Sequence, residues 1–100
     1  MKQLFAVTET HGPAWDASKP MNGQDQWTEH ATFMNRLAAD GFVVLGGPLG
    51  DSGGVLLIID AADANEINAT LARDRWIQSG MLEIKDIQLW TILLEAKEKV

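Results

Sequence analysis

The sequence predicts an α+β fold whose elements follow the order β-α-β-β-α-β. Three observations lead to this prediction. Two segments have the three- and four-residue apolar spacing of amphipathic helices, four short segments are apolar or alternating like strands, and a glycine-rich turn separates two of those strands. This order is that of the split βαβ, or ferredoxin-like, sandwich, a four-stranded antiparallel sheet with two helices on one face.

The first predicted strand covers residues 3–8, which alternate and are rich in Phe, Val and Leu. A long loop, residues 10–24, follows it, with two prolines, two glycines and little periodicity. Loops of this length in compact domains tend to be functional or mobile. His11 and Trp15 lie in this loop. They are interpreted as solvated loop residues, with folding over a pocket as the alternative.

The central predicted helix begins at Trp27 and ends at Asp40-Gly41, where glycine provides the left-handed conformation of a C-cap. His30 lies beside its apolar stripe, which consists of Trp27, Ala31, Met34, Leu37 and Ala38. Residues 42–45 then predict a short buried strand. Gly46-Gly47-Pro48 follow with a spacing that matches no phosphate-binding motif, so they indicate close approach of the backbone to a ligand, or a bulge.

The second half of the chain predicts a hairpin, a helix and a final strand. A glycine-rich turn precedes the apolar strand 55–60. Asp63 is the expected N-cap of the second helix, with Glu66 at the spacing of a capping box. Residues 73–81 break the helical pattern and predict a helix end, a tight turn and a loop. Residues 82–94 alternate but change phase, which predicts a bulge or bend in one long strand.

The composition indicates one soluble, cytoplasmic domain over residues 1–100. The formal net charge of −6 argues against nucleic acid and anionic membranes as partners, because both are bound largely through Lys and Arg. There is no cysteine, and no apolar stretch approaches the roughly 18 residues that span a bilayer. The two histidines lie far apart in sequence without paired carboxylates, so we expect no metal and no cofactor.

Helices on one face of the sheet leave the opposite face bare. The third and fourth predicted strands are nevertheless apolar on both faces. A bare apolar face needs cover, and a second copy of the chain is the simplest cover. We therefore expect a homodimer that packs through the sheet face.

His30 on the first helix and Asp74 just after the second are the candidate acid–base groups. A histidine in that role needs a carboxylate to fix its tautomer. The side-by-side helices of this fold can bring the two residues together, although spacing alone does not show it. The alternative is a boundary histidine bonded to a loop, with Asp74 paired to Arg73 or Arg75.

Three tryptophans, Trp27, Trp76 and Trp90, are interpreted as core residues rather than as a platform for a cofactor. Trp76 is the exception, because it follows Asp74 closely enough to line the same pocket.

Several segments together resemble the YciI-like (YCII-related) proteins of the dimeric α+β barrel superfamily. The resemblance rests on the helix histidine in EHATFMNRLAADG, on GGPL at 46–49, on GGVLLIID at 53–60 and on ARDRWIQSGM at 72–81. It implies a ferredoxin-like fold that dimerises through its sheets. It also implies a His–Asp pair at His30 and Asp74, with Gly46, Gly47 and Pro48 lining the same cleft. Arg75 replaces the proline that usually follows the aspartate and adds a positive charge.

Two functional hypotheses follow. The first is a cofactor-independent enzyme in which His30, oriented by Asp74, moves a proton in an isomerase- or lyase-like reaction. Its substrate or ligand is a small, anionic or ring-type molecule, which Arg73 or Arg75 could hold by a carboxylate or phenolate, with Trp76 beside it. The second is a dimeric binding or regulatory module in which His30 and Asp74 are structural.

Overall fold

The computed structural model describes residues 3–97, which form one four-stranded antiparallel sheet and three α-helices. The predicted α+β class is confirmed. A short 3-10 helix, Met21–Gly23, lies in the long loop before the first α-helix. The elements in chain order are β1 (Gln3–His11), α1 (Trp27–Ala39), β2 (Val43–Pro48), β3 (Gly54–Ala61), α2 (Ala64–Leu71), α3 (Arg75–Ser79) and β4 (Leu82–Leu89).

The strands lie in the order β2-β3-β1-β4, and each is antiparallel to its neighbours. This is the strand order of the ferredoxin-like sandwich, and it places β1 in the interior of the sheet. The β1–β4 ladder shifts register between Thr8 and Glu9, where Lys85 is the unpaired residue of β4. The last strand therefore contains a bulge, near its start rather than at the change of phase that predicted one.

The main core lies between one sheet face and helices α1 and α2. Ile67 and Leu71 of α2 are completely buried, and Leu37 is the buried residue of α1. A second cluster of Trp76, Met81 and Leu82 joins α3 to β4. The main core consists of Phe5, Val7, Leu37, Val43, Leu57, Ile59, Ala61, Ile67 and Leu71.

Helix α2 begins at Asp63, the N-cap expected from its sequence. The Asp63 carboxylate accepts from the backbone N–H of Glu66 at 2.8 Å, and Glu66 Oε1 accepts from the backbone N–H of Ala62 at 2.9 Å. The first bond satisfies a donor that the first helical turn leaves without a partner. The second reaches the N–H of Ala62, one residue before the N-cap N–H that Glu66 bonds in a standard capping box.

Helix α3 is absent from the sequence prediction, which assigned residues 73–81 to a helix end, a tight turn and a loop. Five residues are too few to show apolar periodicity. The signals that define this helix are its two ends. The Asp74 side chain caps the N-terminus by accepting from the backbone N–H of Trp76, and Gly80 ends the helix in the left-handed conformation, with φ of 81°.

The ends of three strands also differ clearly from the prediction. β2 extends to Pro48 instead of ending at residue 45, so Gly46, Gly47 and Pro48 are strand residues. β1 continues beyond Thr8 to His11, because its last residues pair with both β3 and β4. β4 ends at Leu89, so the expected long strand over 82–94 is wrong in its second half. Trp90 is 44% exposed, and its interpretation as a core residue is also wrong.

Large apolar side chains remain exposed on β2, in the turn after it and around the end of β4: Val44, Leu45, Leu49, Leu89, Trp90, Leu93 and Leu94. Within residues 3–97, each helix falls short of the length and apolar character required to cross a membrane.

Candidate active site

His30 and Asp74 are hydrogen-bonded to each other across 44 residues of sequence. His30 lies in the first turns of α1, and Asp74 caps α3. The Nδ1 atom of His30 is 2.9 Å from each of the two carboxylate oxygens of Asp74. The side chain of Asp74 is 1% exposed and that of His30 is 12% exposed. The packing of α1 against α3 thus brings the two side chains together, which sequence spacing alone could not show.

The carboxylate of Asp74 is held in place from a second direction. Its Oδ1 accepts a hydrogen bond from the backbone N–H of Trp76 at 3.1 Å, as well as facing His30. An ionised carboxylate only accepts hydrogen bonds, so Nδ1 of His30 must donate and carries the proton. In the neutral ring Nε2 then has a free lone pair, and within residues 3–97 no protein group is hydrogen-bonded to it.

Trp76 fixes the plane of the imidazole ring. The His30 and Trp76 rings are stacked, with centroids 3.9 Å apart and planes 7° from parallel. The indole N–H of Trp76 donates to the backbone carbonyl of Asp25 at 2.7 Å, which ties α3 to the loop before α1. Trp76 is 1% exposed, so this contact is well packed. His30 is therefore oriented by a carboxylate at one edge and by an indole against its face.

Two further tryptophans extend the aromatic surface. The Trp27 ring lies 5.7 Å from that of Trp76, and the Trp15 ring meets Trp76 edge-on at 5.4 Å. His11 stacks on Trp15 with centroids 3.7 Å apart. His11 and Trp15 thus face the pocket, and their interpretation as solvated loop residues is wrong. His11 is the last residue of β1, where it pairs with Leu82 of β4.

These groups line a cavity of about 690 Å³, a size that suits a small organic molecule. The lining is mostly apolar. Among the candidate ligand-binding residues, Gly46, Gly47, Pro48 and Trp76 line this cavity together with His30, and Asp74 lies behind His30. Arg75 is exposed and does not line it. Arg73 is also outside the cavity, with its guanidinium 5.7 Å from the centre of the Phe33 ring.

Glu9 is a cavity residue that the sequence interpretation missed. It is only 3% exposed, and its carboxyl group makes no hydrogen bond or ion pair within residues 3–97. Burial, followed by repulsion from the Asp74 carboxylate, raises the pKa of Glu9 to about 7. The sequence does contain a signal: Phe5, Val7 and Glu9 alternate along β1, so an acidic residue occupies a position that should face the core.

The loop that carries Trp15 is held by specific contacts. The buried side-chain amide of Gln24 bonds to the backbone N–H of Asp16 at 3.0 Å and to its carbonyl oxygen at 2.6 Å. Gly12 donates its N–H to the carbonyl of Met81 at 2.8 Å. A Cβ atom at Gly12 would collide with the backbone carbonyl of Gly80, so only glycine allows this approach.

Burial also lowers the pKa of His11, because desolvation disfavours the charged imidazolium. Over residues 3–97, no three His, Asp or Glu side chains are grouped so that they could hold a metal ion. The ionisable groups that line the main cavity are Glu9, His11, His30 and Asp51.

Comparison with known proteins identifies a family. A sequence model described as the YCII-related domain matches residues 4–91, which span most of the chain and include every site residue described above. The match confirms the resemblance inferred from the sequence motifs. No curated protein matches the chain.

Proposed function

The chain belongs to the YCII-related family, and from that premise we propose that it is a small enzyme in which His30 moves a proton on a small organic substrate. The proposed reaction is isomerase- or lyase-like, with acid–base groups supplied by the chain itself. The observation that carries the proposal is the 2.9 Å hydrogen bond between His30 Nδ1 and the buried Asp74 carboxylate, made by a histidine that lines an apolar cavity.

In the proposed step, Nε2 of neutral His30 takes a proton from a carbon of the substrate. The Asp74 carboxylate stabilises the resulting imidazolium through Nδ1–H. In an isomerisation, the imidazolium returns the proton to a different atom of the substrate. In a lyase-like reaction, the electron pair of the broken C–H bond forms a double bond as a neighbouring group leaves, and the imidazolium protonates that group.

Geometry favours a base with a fixed direction. The indole of Trp76 lies parallel to the imidazole ring, and Asp74 holds its Nδ1 edge, so Nε2 is aimed by two contacts rather than by one. Positioned acid–base catalysis contributes about 10²–10⁴-fold in rate. Replacing His30 with alanine should therefore lower the rate by at least about 100-fold.

The experiment measures proton abstraction without requiring the product to be known. The protein is incubated in D₂O with a panel of small carbonyl, lactone and phenolic compounds, and deuterium incorporation at carbon is followed by NMR. We expect exchange in at least one compound, with loss in His30→Ala and in Asp74→Asn. Glu29→Gln, an exposed change on the same helix, is the matched control and should keep the wild-type rate.

Two results would contradict the proposal. One is exchange that persists unchanged in His30→Ala. The other is a set of compounds that bind in the cavity and never exchange, which would indicate a binding or regulatory module in which the pair is structural.

A homodimer through the sheet face, in the cytoplasm, also belongs to this proposal. Its support is the group of exposed apolar side chains on β2 and around the end of β4, among them Leu45 at 67% and Leu94 at 71% exposed. Surfaces of this kind commonly mark protein interfaces. Light scattering after size exclusion at micromolar concentration should give the mass of a dimer. A monomeric mass would refute it.

A further inference from the structure

The carboxyl group of Glu9 has no protein partner at the site proposed for catalysis. Its residue is 3% exposed and lines the cavity, and within residues 3–97 its carboxyl group makes no hydrogen bond and no ion pair. A largely buried carboxylate without a protein partner is costly, because it loses most of its hydration and no protein group replaces that hydration. Such a group indicates a ligand that pairs with the carboxylate.

We propose that the cavity binds a flat, ring-containing compound that carries a protonated nitrogen, with that nitrogen on the carboxylate of Glu9 and the ring against the tryptophans. This inference rests on the proposed function, because it names the substrate class of the same site. It goes beyond that proposal by assigning a charge, a shape and a recognition residue.

The charges around the cavity support a cation. Glu9 and Asp51 line it, and the Asp74 carboxylate lies directly behind His30. Among residues 3–97, neither lysine nor arginine lines the cavity. An anionic ligand would therefore lose its hydration among carboxylates without gaining an ion pair.

This placement changes the ligand expected from the sequence. That expectation was a small anionic or ring-type molecule, with Arg73 or Arg75 holding a carboxylate or phenolate. The Arg73 guanidinium lies over the Phe33 ring instead, and Arg75 is not among the residues that line the cavity. Lys85 borders a separate pocket of about 230 Å³, which Glu9 also lines, but the two side chains form no ion pair within residues 3–97. The cation must come with the ligand.

The aromatic residues support a flat ring. Trp15 and Trp27 line the cavity, with ring centroids 5.4 and 5.7 Å from that of Trp76. Trp76 is 1% exposed and stacked on His30, so Trp15 and Trp27 provide the indole surface that a ligand can contact. Indole faces attract cations, and they pack well against planar groups. A compound that places its ring among the tryptophans and its nitrogen at Glu9 uses both kinds of contact.

Binding should also be linked to a proton. Without a ligand the Glu9 carboxyl group is largely protonated at pH 6, since its pKa is raised to about 7. A cation beside it favours the ionised form, so binding at pH 6 should release a proton to the buffer. Calorimetry in two buffers of different ionisation enthalpy measures that release.

The test uses three probes of nearly equal shape: 2-naphthamidine, a cation; 2-naphthamide, which is neutral; and 2-naphthoate, an anion. Affinities are measured by calorimetry and by quenching of tryptophan fluorescence. We expect the amidine to bind at least about tenfold more tightly than the naphthoate and to release a proton. Glu9→Gln should reduce amidine affinity about tenfold, abolish the proton release and leave naphthamide unchanged, whereas the exposed Glu83→Gln should behave as wild type.

The proposal is overturned if the naphthoate binds as tightly as the amidine, if no probe binds, or if Glu9→Gln keeps the wild-type order of affinities. Glu9→Asp is a second variant, which keeps the charge and should retain the amidine preference. His30→Ala should also retain that preference. Selective amidine binding without deuterium exchange would therefore contradict the catalytic proposal but support the proposed ligand class. Deuterium exchange without a preference for the amidine would support catalysis but contradict the ligand class.

Discussion

Replacing Glu9 with glutamine should raise the free energy of unfolding at neutral pH. It should also make that free energy depend much less on pH. In the folded protein the pKa of Glu9 is about 7, against an ordinary value of 4.5. Below pH 4.5 the group is protonated in both states and its burial costs little. As the pH rises from about 4.5 to about 7, the unfolded chain loses this proton first, so stability falls.

The magnitude follows from the difference between the two pKa values. One pH unit corresponds to about 1.4 kcal/mol, so a carboxyl group raised from 4.5 to about 7 costs at most about 3 kcal/mol at pH 7 and above. Glutamine cannot ionise, so Glu9→Gln should avoid most of that cost. The gain is reduced by the cost of burying an unpaired amide. For a domain of 100 residues, each 1 kcal/mol corresponds to roughly 4–8 °C in Tm.

The assay is urea unfolding of wild type, Glu9→Gln and Glu83→Gln between pH 4.5 and pH 8.5. Burial lowers the pKa of His11, which gives stability a slope of the opposite sign near pH 6, so the quantity compared is the difference between variants. We expect Glu9→Gln to gain on wild type as the pH rises through this range. A constant difference across the range, or the same gain in Glu83→Gln, would refute the reasoning.

Three substitutions test the packing around the site and the capping of α2. A Cβ atom at Gly46 would lie 2.7 Å from Leu57 Cδ2 in the core, whereas one at Gly47 would meet nothing within 4 Å. Gly46→Ala should therefore destabilise the fold by about 1–2 kcal/mol in urea unfolding, while Gly47→Ala should change it little; equal effects would contradict this account. Asp63→Ala removes the hydrogen bond to the N–H of Glu66 and should cost about 1 kcal/mol, and an unchanged midpoint would show that the cap contributes nothing.

The sequence was sufficient for elements that carry a regular pattern and clear ends. Helix α1 begins at Trp27 and ends where Asp40-Gly41 was expected to end it, with Gly41 at φ of 80°. The capping residues of α2 were likewise evident, because Asp63 and Glu66 act within one turn of helix. These features depend on local chemistry, which a sequence displays directly.

Features that depend on contacts between distant segments were harder to predict. Helix α3 is too short for periodicity, and its cap, Asp74, also serves His30. His11 and Trp15 have loop-like neighbours in sequence, and they are half-buried because they stack on each other and Trp15 meets the edge of Trp76. The cavity that they line forms only when the loop folds over the sheet.

Glu9 is a different case, because its signal was present and was not used. The strict alternation of β1 places it on the same face as Val7, which is completely buried. A charged residue at such a position breaks the agreement between pattern and fold, and such breaks concentrate at functional sites. His30 and Asp74 were candidates from their places at the helices, the resemblance supported the pair, and the structure adds the hydrogen bond that joins them.

The most direct test of the central claim is the tautomer of His30, read from long-range ¹H–¹⁵N NMR spectra at pH 9. The account predicts that Nδ1 carries the proton in wild type, because it donates to Asp74. In Asp74→Asn the amide oxygen should face the N–H of Trp76, its NH₂ should face Nδ1, and the proton should move to Nε2. A wild-type ring protonated at Nε2, or a tautomer indifferent to Asp74→Asn, would contradict the oriented base on which the proposed function rests.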